Sequence, residues 1–421
     1  MIKFDAVSKR YPNGTTAVDD LSLDFPEGGV TVLVGSSGCG KTTTLRMINR
    51  MVEPTSGTIS IGGRDILEAD AARLRRGIGY VIQQSGLFPH RTILDNIATV
   101  PLLLGWGKRK ARTRAAELLE LVGLPADAGK RYPHQLSGGQ QQRVGVARAL
   151  AADPPVLLMD EPFGAVDPVV RTQLQNELLR LQDELRKTVV FVTHDIDEAV
   201  RLGDRIAVFR TGGRLVQCAP PAELLARPAD DFVADFLGAE RGLKLLSLTT
   251  LADVPYTPGR AIRADEPVGK IARAGDRWRL VTSPGREPLG WLDTDALPAG
   301  GTAGEAALEA VRPLRDEDSL LSALNEAVSS PAGAVARVDA EGVLVGLTPR
   351  DAIHERAGRS HAEAGRAAAA TETDAGETDA AEADTGEAGA GEADAGAAKS
   401  LKPAPATAPA ADPAPATERP A

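Results

Sequence analysis

The sequence predicts an α/β fold in which a wound parallel sheet is covered on both faces. Three short apolar runs support this prediction, at Val30–Val34, Val156–Met159 and Val189–Val192. They show little alternation of apolar and polar residues, as expected for parallel strands that are buried on both faces. Longer helical patterns separate them, for example Val169–Arg186. Alternation of strands and helices is typical of a wound sheet.

The composition indicates a globular chain of two or three domains. Its 421 residues are 43% hydrophobic and 25% charged, which is ordinary for a soluble fold. The net charge of −10 argues against a general nucleic-acid binder, which would present a basic face. Two cysteines exclude a disulfide scaffold and suit a reducing compartment. We expect no signal peptide, and we find no run of about 18 apolar residues that could span a membrane.

We divide the chain into three parts. Residues 1–240 contain the apolar runs and form the first domain, and residues 243–357 combine short strands with one or two helices. Residues 358–421 are rich in Ala, Glu, Asp, Thr, Gly and Pro. From His361 onward, 12 acidic and four basic residues carry eight of the ten net negative charges. This acidic and then Pro/Ala-rich tail has few side chains to bury, so we predict that it is disordered.

The strongest functional signal follows the first apolar run. Residues 35–42 read GSSGCGKT, and a helical pattern begins at Thr43, which is the strand–loop–helix context of a phosphate-binding loop. Glycines let backbone N–H groups close around phosphates, and the helix N-terminus adds a positive dipole end. Lys41 would provide a cation for the β- and γ-phosphates, and Thr42 a hydroxyl for Mg²⁺. The alternative is a glycine-rich turn without nucleotide.

We interpret Cys39 within this loop as a small filling residue rather than a nucleophile, because its one evident basic neighbour is Lys41. The predicted nucleotide-binding residues of the loop are Gly35, Ser36, Ser37, Gly38, Cys39, Gly40, Lys41, Thr42 and Thr43.

Two carboxylates end the second apolar run. Asp160 and Glu161 are predicted at the carboxyl end of a strand, where open α/β sheets place their ligands. Asp160 would help to hold Mg²⁺, directly or through water, and Glu161 would polarise an attacking water. An acidic pair at a strand end is common on its own, but beside a phosphate loop it indicates nucleotide hydrolysis.

A third motif, LSGGQ at residues 136–140, precedes a helical stretch. Ser137 and Gln140 fit a capping box, so a well-capped helix start is one interpretation. A cap does not need Gly138 and Gly139, which each cost about 1 kcal/mol in a helical turn. Bare backbone at the positive end of a helix is what a γ-phosphate requires.

Together these motifs resemble the ATP-binding subunits of ABC transporters over residues 1–240. The resemblance implies an ABC-type P-loop NTPase domain with a helical subdomain, with ATP and Mg²⁺ as cofactors. It implies a head-to-tail homodimer in which each ATP lies between Lys41 of one copy and Ser137–Gln140 of the other. Neither copy alone would then complete a site.

The resemblance also implies roles for residues outside these motifs. Tyr11 would stack on adenine, and Asp167, in the loop after the acidic pair, would lie near the nucleotide. Gln83 would sense Mg²⁺ and contact the membrane partner, and His194 would contact the γ-phosphate. The implied catalytic residues are Glu161, His194 and Gln83, and the implied metal-site residues are Thr42, Gln83 and Asp160.

Longer stretches, such as RMINRMVEPTSGTISIGG and THDIDEAVRLGDRIAVF, resemble ATP-binding subunits of osmoprotectant importers. This implies import of a quaternary amine such as glycine betaine, carnitine or choline. The implied partners are a membrane permease and an extracellular substrate-binding protein, and the implied location is the cytoplasmic face of the membrane. Aromatic residues are 4% of the chain and form no cluster along the sequence, so another subunit would have to hold the quaternary ammonium group.

Other functions remain open at this stage. The main alternative is an importer of another small solute, such as an amino acid. An ABC ATPase that acts on ribosomes or DNA would usually carry two cassettes or a long coiled coil, which this sequence lacks. A non-catalytic regulatory module is disfavoured by the presence of both Glu161 and His194.

Residues 311–355 resemble a CBS motif, with a helix, two strands around residues 339–342, and TPRD before another helix. Residues 248–297 would be a degenerate first copy. Thr348 and Asp351 match positions that contact a ribose in nucleotide-binding members, so the resemblance implies a regulatory pair that takes a nucleotide. The alternative is a structural or dimerising pair without a ligand.

Two charged segments complete the sequence. The basic cluster Lys108–Arg114 is predicted to be a solvated helix face, with lipid headgroups or a partner's acidic loop as the alternative. The acidic tail is predicted to be a solvated linker. A second hypothesis for the tail is tuning by ionic strength, since the screening length is about 8 Å at physiological salt.

Overall fold

A computed structural model describes residues 2–82, 86–164, 167–259, 261–271, 275–306 and 308–359. Gln83 and the acidic tail lie outside the described residues.

The described chain contains sixteen strands in four sheets. The strands are β1 (Ile2–Arg10), β2 (Thr16–Phe25), β3 (Val30–Gly35), β4 (Ser56–Ile61), β5 (Arg64–Asp65), β6 (Ile78–Val81), β7 (Val156–Asp160), β8 (Thr188–Val192), β9 (Arg205–Arg210), β10 (Arg214–Ala219), β11 (Ile262–Arg263), β12 (Trp278–Thr282), β13 (Pro288–Asp293), β14 (Leu308–Glu309), β15 (Ala334–Val338) and β16 (Leu344–Pro349).

The helices complete the inventory of elements. They are α1 (Lys41–Ile48), α2 (Ala71–Arg76), α3 (Ile93–Ile97), α4 (Thr99–Leu103), α5 (Lys108–Leu121), α6 (Gly138–Leu150), α7 (Pro168–Leu185), α8 (Ile196–Leu202), α9 (Pro221–Ala226), α10 (Asp231–Leu237), α11 (Arg241–Leu248), α12 (Leu320–Ser329) and α13 (350–359). Among the described residues, none of these helices is long and apolar enough to cross a bilayer.

A wound parallel sheet forms the centre of the first domain, as the sequence predicts. Its order is β10-β9-β3-β8-β7-β6, and β10 alone among these strands runs antiparallel to its neighbour. Every residue of β3, β7 and β8 is buried. Successive residues of a strand enter different cores, since Leu157 and Met159 belong to one cluster and Leu158 to the other. Both faces are therefore covered, which explains the continuous apolar runs.

The two cores have different partners. One face packs against α1 and the antiparallel sheet β2-β1-β4-β5. The other face packs against helices that include α5, α6 and α7. The segment that contains α3 to α6 leaves the sheet after β6 and returns to it at β7, so it forms the predicted helical subdomain.

Helix α11 crosses the predicted boundary between the first two domains. Its Leu245 lies in a core of the first domain, and the next residue, Leu246, lies in a core of the C-terminal region. Lys244 forms an ion pair with Asp197 of α8. The C-terminal region therefore begins on a helix that is packed against the first domain.

The C-terminal region contains a four-stranded sheet, β11-β12-β13-β14, and the hairpin β15-β16. Helices α12 and α13 flank the hairpin in sequence, which is the element order that the sequence predicts for residues 311–355. The described residues of 249–319 contain strands and 3-10 turns but no α-helix. The two halves of this region therefore differ in secondary structure.

Candidate nucleotide-binding site

The loop between β3 and α1 has a backbone that requires glycine at two positions. Gly35 and Gly40 have φ values of 146° and 97°, in the region that favours glycine. A Cβ atom at Gly35 would overlap the Phe209 carbonyl oxygen, and one at Gly40 would overlap the Ala17 carbonyl oxygen. The loop is thus held against β9 and β2 with its N–H groups close to the start of α1.

Lys41 lies across the base of this loop. It is 6% exposed, and its Nζ donates hydrogen bonds to the carbonyl oxygens of Gly35, at 2.7 Å, and Ser36, at 3.0 Å. Cys39 is fully buried, with its Sγ 3.6 Å from Nζ of Lys41. The ammonium group is therefore part of the loop itself, and Cys39 packs in the core beneath it.

Asp160 ends β7 beside the first residues of α1. The Thr42 hydroxyl donates a hydrogen bond to Asp160 Oδ1 at 3.0 Å, and Arg46 Nη2 lies 4.0 Å from Oδ2. Burial raises the pKa of Asp160 and the charge of Glu161 adds to that rise, whereas the hydrogen bond from Thr42 and the charge of Arg46 oppose it. The carboxylate is thus tied to the helix that follows the phosphate loop.

Glu161 follows Asp160 with an unusual backbone. Its φ is 44°, a left-handed conformation that costs a non-glycine residue about 1–3 kcal/mol. The N–H of Glu161 donates to the Val192 carbonyl oxygen at 2.9 Å, which ties it to β8. Its Oε1 lies 3.3 Å from Nδ1 of His194, whose side chain is 62% exposed. Strain of this kind is often maintained at functional sites.

An open cavity of about 250 Å³ lies above these groups. It is lined by Thr15 to Ala17, by Ser37 to Thr43 and by Glu161. Tyr11 belongs to the turn beside it, because its N–H donates to the Thr15 carbonyl oxygen at 2.9 Å. The Tyr11 ring is partly exposed, with Lys9 Nζ at 5.4 Å from its centroid. The phosphate loop, Glu161 and the Tyr11 turn thus surround one space.

Other predicted site residues lie away from this cavity. Ser137 caps α6 and forms the predicted capping box with Gln140, with hydrogen bonds of 3.3 and 3.0 Å. Ser137 and Gly138 are exposed, and none of the residues 137–140 lines the cavity of the same chain. Asp167 caps α7 by accepting a hydrogen bond from the Val170 N–H at 3.1 Å. Gln83 lies outside the described residues.

Tyr80 has no motif signal in the sequence, yet it contacts the site. Its hydroxyl lies close enough to Asp160 and Arg46 for their charges to act on it, and its pKa is raised by burial and by the charge of Asp160. Tyr80 lies in β6, the neighbour of β7. A single sequence gives no reason to connect these three residues, since they come from different elements.

The sequence also gives no sign of a buried cluster of polar side chains near His194. The Thr193 hydroxyl donates to Glu198 Oε2 at 2.6 Å, and Gln175 Nε2 donates to Oε1 at 3.2 Å. Burial raises the pKa of Glu198. These contacts fix the turn that leads from β8 through His194 into α8.

The donors fit a magnesium ion. The Thr42 hydroxyl and the Asp160 carboxylate are hard oxygen ligands, and Mg²⁺ in nucleotide sites keeps several waters and phosphate oxygens. The part of the chain that the structure describes contains no group of three or more His, Cys, Asp or Glu side chains that could hold a metal.

A wound parallel sheet with the GSSGCGKT loop between β3 and α1 places the chain in the P-loop class of nucleoside-triphosphate hydrolases. Comparison with known proteins narrows this class. The ABC transporter family matches residues 18–164. An osmoprotectant import ATP-binding protein of Salmonella typhimurium is 47% identical over 366 residues, which cover 84% of this chain and 95% of that protein.

A glycine betaine uptake system ATP-binding protein of Escherichia coli is 50% identical over 302 residues, or 71% of this chain and 96% of that protein. Among solved structures, cbiO1 of Clostridium perfringens, part of an ABC transporter complex, is 28% identical with a TM-score of 0.50. That match covers 54% of this chain and 91% of the solved chain. The chain belongs to the ATP-binding subunits of ABC transporters and groups with those of osmoprotectant import systems. It is an ATPase of that family.

Proposed function

We propose that this chain hydrolyses ATP to drive import of a quaternary-amine osmoprotectant through a membrane permease. The cavity between the phosphate loop and Glu161 carries the proposal, because it combines phosphate donors with a carboxylate that is paired to His194. The importer resemblance and the related proteins support the transport role.

We propose that two copies complete each site. The exposed N-terminus of α6, with Ser137 and Gly138, lies outside the cavity of its own chain. Free N–H groups at a helix start attract phosphate oxygens. In a head-to-tail homodimer, residues 137–140 of one copy would cover the γ-phosphate that the other copy holds with Lys41.

The proposed chemistry follows from what each side chain faces. The Lys41 ammonium and the loop N–H groups would neutralise and position the β- and γ-phosphates, and Tyr11 would stack on adenine. Glu161 would accept a hydrogen bond from the attacking water, and His194 would donate one to the γ-phosphate. Phosphoryl transfer depends mainly on such positioning and charge stabilisation.

Magnesium belongs to the same proposal. Thr42 and Asp160 would hold it, with Gln83 assigned to it by the resemblance alone. When bound, it would offset negative charge on the phosphate oxygens.

The partners are part of the proposal as well. We propose a permease, contacted through the loop that carries Gln83, and an extracellular binding protein that recognises the substrate. The chain would then act at the cytoplasmic face of the membrane through its permease. An importer of amino acids is the alternative.

Complementation between copies tests the shared site. Lys41→Ala and Ser137→Arg variants should each lose ATPase activity as homodimers, because every site then lacks one half. Mixing them should restore about half of the activity expected for a dimer with one intact site. A mixture that stays as inactive as either variant alone would contradict the two-copy site.

Reconstitution tests the substrate. The complete transporter in proteoliposomes, with its binding protein, should show ATPase stimulation by glycine betaine, carnitine or choline. Stimulation by amino acids and not by these amines would favour the alternative importer.

A nucleotide at the C-terminal region remains a prediction. Thr348 is fully buried there, with its Oγ1 3.4 Å from Arg337 Nη1. A ribose at this hydroxyl would have to displace that contact. Equilibrium binding of labelled adenine nucleotides to a Lys41→Ala variant would measure a second site separately from the first.

A further inference from the structure

The end of α4 and the residue after it expose three consecutive leucines. Leu102, Leu103 and Leu104 are 37%, 61% and 44% exposed, and Trp106 follows them partly buried. Single exposed leucines are ordinary, but a run of three is a feature that folded surfaces usually avoid. Leu102 and Leu103 lie in the last turn of α4, and Leu104 begins the connection to α5.

Three cations continue the same exposed stretch. Lys108, Arg109 and Lys110 are exposed, and in the described chain no ion pair with a carboxylate is found for them. The sequence has no acidic residue between Asp95 and Glu117. The ammonium of Lys110 lies 4.4 Å from the Trp106 ring centroid.

The remaining cations of α5 are already paired. Arg112 contacts Asp95 at 2.9 Å and Arg114 contacts Glu117 at 3.4 Å. The unpaired charge is therefore concentrated next to the leucines. An open depression of about 580 Å³ lies against this stretch, lined by Trp106, Arg109, Lys110, Thr113 and others, which gives anionic headgroups room beside the cations.

We propose that residues 102–110 form a lipid-contact segment that binds an anionic membrane surface. Leucine and tryptophan would enter the headgroup boundary while the three cations meet acidic lipids, a combination that defines interfacial segments. Each lysine or arginine near an anionic surface strengthens binding about fivefold. The inference rests on the proposed membrane location but not on the ATPase chemistry or the solute.

A lipid surface suits this segment better than a protein. A second copy would set like charges against each other. Its exposed leucines follow one another at the end of α4 and in the residue after it, whereas docking of a helix would need apolar residues spaced three and four apart. Its three exposed cations complement a negatively charged plane such as an anionic membrane surface.

Vesicle flotation with the full chain tests the inference. Binding is expected to vesicles of phosphatidylcholine with phosphatidylglycerol, to be weak to phosphatidylcholine alone, and to fall as salt screens the charges. The K108S/R109S/K110S variant should lose about a hundredfold in partitioning, and Leu103→Ser about tenfold. Trp106 emission should shift to the blue with acidic vesicles, a shift that W106F lacks.

Matched controls separate this segment from general charge and hydrophobicity. The K3S/R64S/K270S variant makes the same change of net charge at scattered exposed sites, and Val328→Ser alters a side chain that is 66% exposed. Neither should weaken flotation more than about twofold. ATP binding by every variant verifies that it is folded.

Two results would overturn the inference. One is equal loss of vesicle binding in the cluster variant and the scattered variant. The other comes from the assembled transporter with a photocrosslinker at position 103. Labelling of lipid is expected there, and labelling of the permease instead would overturn the inference by identifying a protein contact. Because none of these measurements uses ATP turnover, their failure is distinguishable from failure of the proposed transport function.

Discussion

The ATP-binding region and the C-terminal region place charged side chains in opposite environments. Around the cavity, Glu161 keeps a left-handed backbone and faces open space beside His194. In the C-terminal region, Arg337 is fully buried, pairs with Asp316, and donates to the Val254 carbonyl oxygen at 3.3 Å. Its guanidinium also lies 5.3 Å from the Tyr256 ring centroid.

This difference helps to distinguish a functional site from a buried polar core. Arg337 contacts groups of its own fold on several sides, so its charge serves packing. Glu161 and Lys41 line a cavity, and Glu161 has a left-handed backbone. Charged residues that line a cavity point to chemistry, whereas charged residues that are buried among groups of their own fold point to structure.

The largest expected effect tests the functional side of this comparison. Glu161→Gln keeps the shape of the side chain but removes the charge that we propose orients the attacking water, so turnover should fall by about 10²- to 10⁴-fold. ATP affinity, measured by equilibrium binding, should change little. Glu177→Gln, which alters a surface partner of Arg180, is the control and should hydrolyse ATP normally. Normal turnover in the Glu161 variant would exclude it as the key carboxylate.

The structural role of Arg337 can be tested by removing its ion-pair partner Asp316. Asp316→Ala would leave the buried Arg337 guanidinium without its counter-ion, and we expect it to lower the unfolding free energy by about 1–3 kcal/mol. This is below the cost of breaking a fully buried pair, because the Asp316 side chain is 60% exposed. Arg337→Met removes the charge altogether and should cost less. Denaturant titration measures both. Asp265→Ala, at an exposed pair on the surface, should lower the unfolding free energy far less than Asp316→Ala does; equal costs for the two variants would remove the distinction.

Two tyrosine-to-phenylalanine variants test the same comparison between the two regions, with smaller expected effects. Tyr80→Phe removes a polar hydroxyl from beside Asp160 and Arg46, and the loss of a polar interaction worth about 1 kcal/mol predicts a roughly fivefold fall in ATPase activity. We expect the fall in kcat rather than in ATP affinity, because Tyr80 positions Asp160 without lining the cavity. Tyr256→Phe makes the same change in the C-terminal region and should leave ATPase kinetics unaltered.

The smallest expected effect concerns pH. Burial raises the pKa of Glu198 above its ordinary value of 4.5, so the folded state binds this proton more readily than the unfolded state. Stability should therefore fall as pH rises from about 4.5 through the raised pKa, and Glu198→Gln should remove that part of the slope.

Asp265 gives the opposite sign in the C-terminal region. Its pKa is lowered by the hydrogen bond from Arg263, so its contribution is present above the ordinary carboxyl value and is lost as pH falls toward the lowered pKa. Unfolding free energies measured across acidic pH for both variants check the two signs. Equal slopes in Glu198→Gln and the parent chain would contradict the assignment.

The sequence predicts the parallel core and the phosphate loop because both depend on local patterns. The apolar runs that contain Leu33, Leu158 and Val190 are long enough to be strands. The glycines of GSSGCGKT permit the backbone conformation of the loop, so the motif alone predicts it. The antiparallel sheet was not predicted, since β1 and β4 pair across more than 40 residues with bulges that disturb their alternation.

Other features depend on contacts that no local pattern contains. Tyr80 reaches Asp160 from a neighbouring strand, and Glu198 is satisfied by Gln175 on another helix. Leu102 to Leu104 would be taken as buried from hydropathy alone, yet they are exposed. Helix α11 crosses the predicted domain boundary because Leu245 and Leu246 face different cores.

The attachment of Glu161 to β8 has a mechanical consequence. Asp160 and Val192 are paired across adjacent strands, and Glu161 and His194 follow within two residues. The separation of carboxylate and imidazole is therefore set by the spacing of hydrogen-bonded strands, about 4.8 Å. Any movement of the helical subdomain relative to the sheet would leave that strand spacing unchanged, because both residues follow strands of the same sheet. Arrival of the second copy, rather than assembly of the Glu–His pair, would then set the moment of hydrolysis.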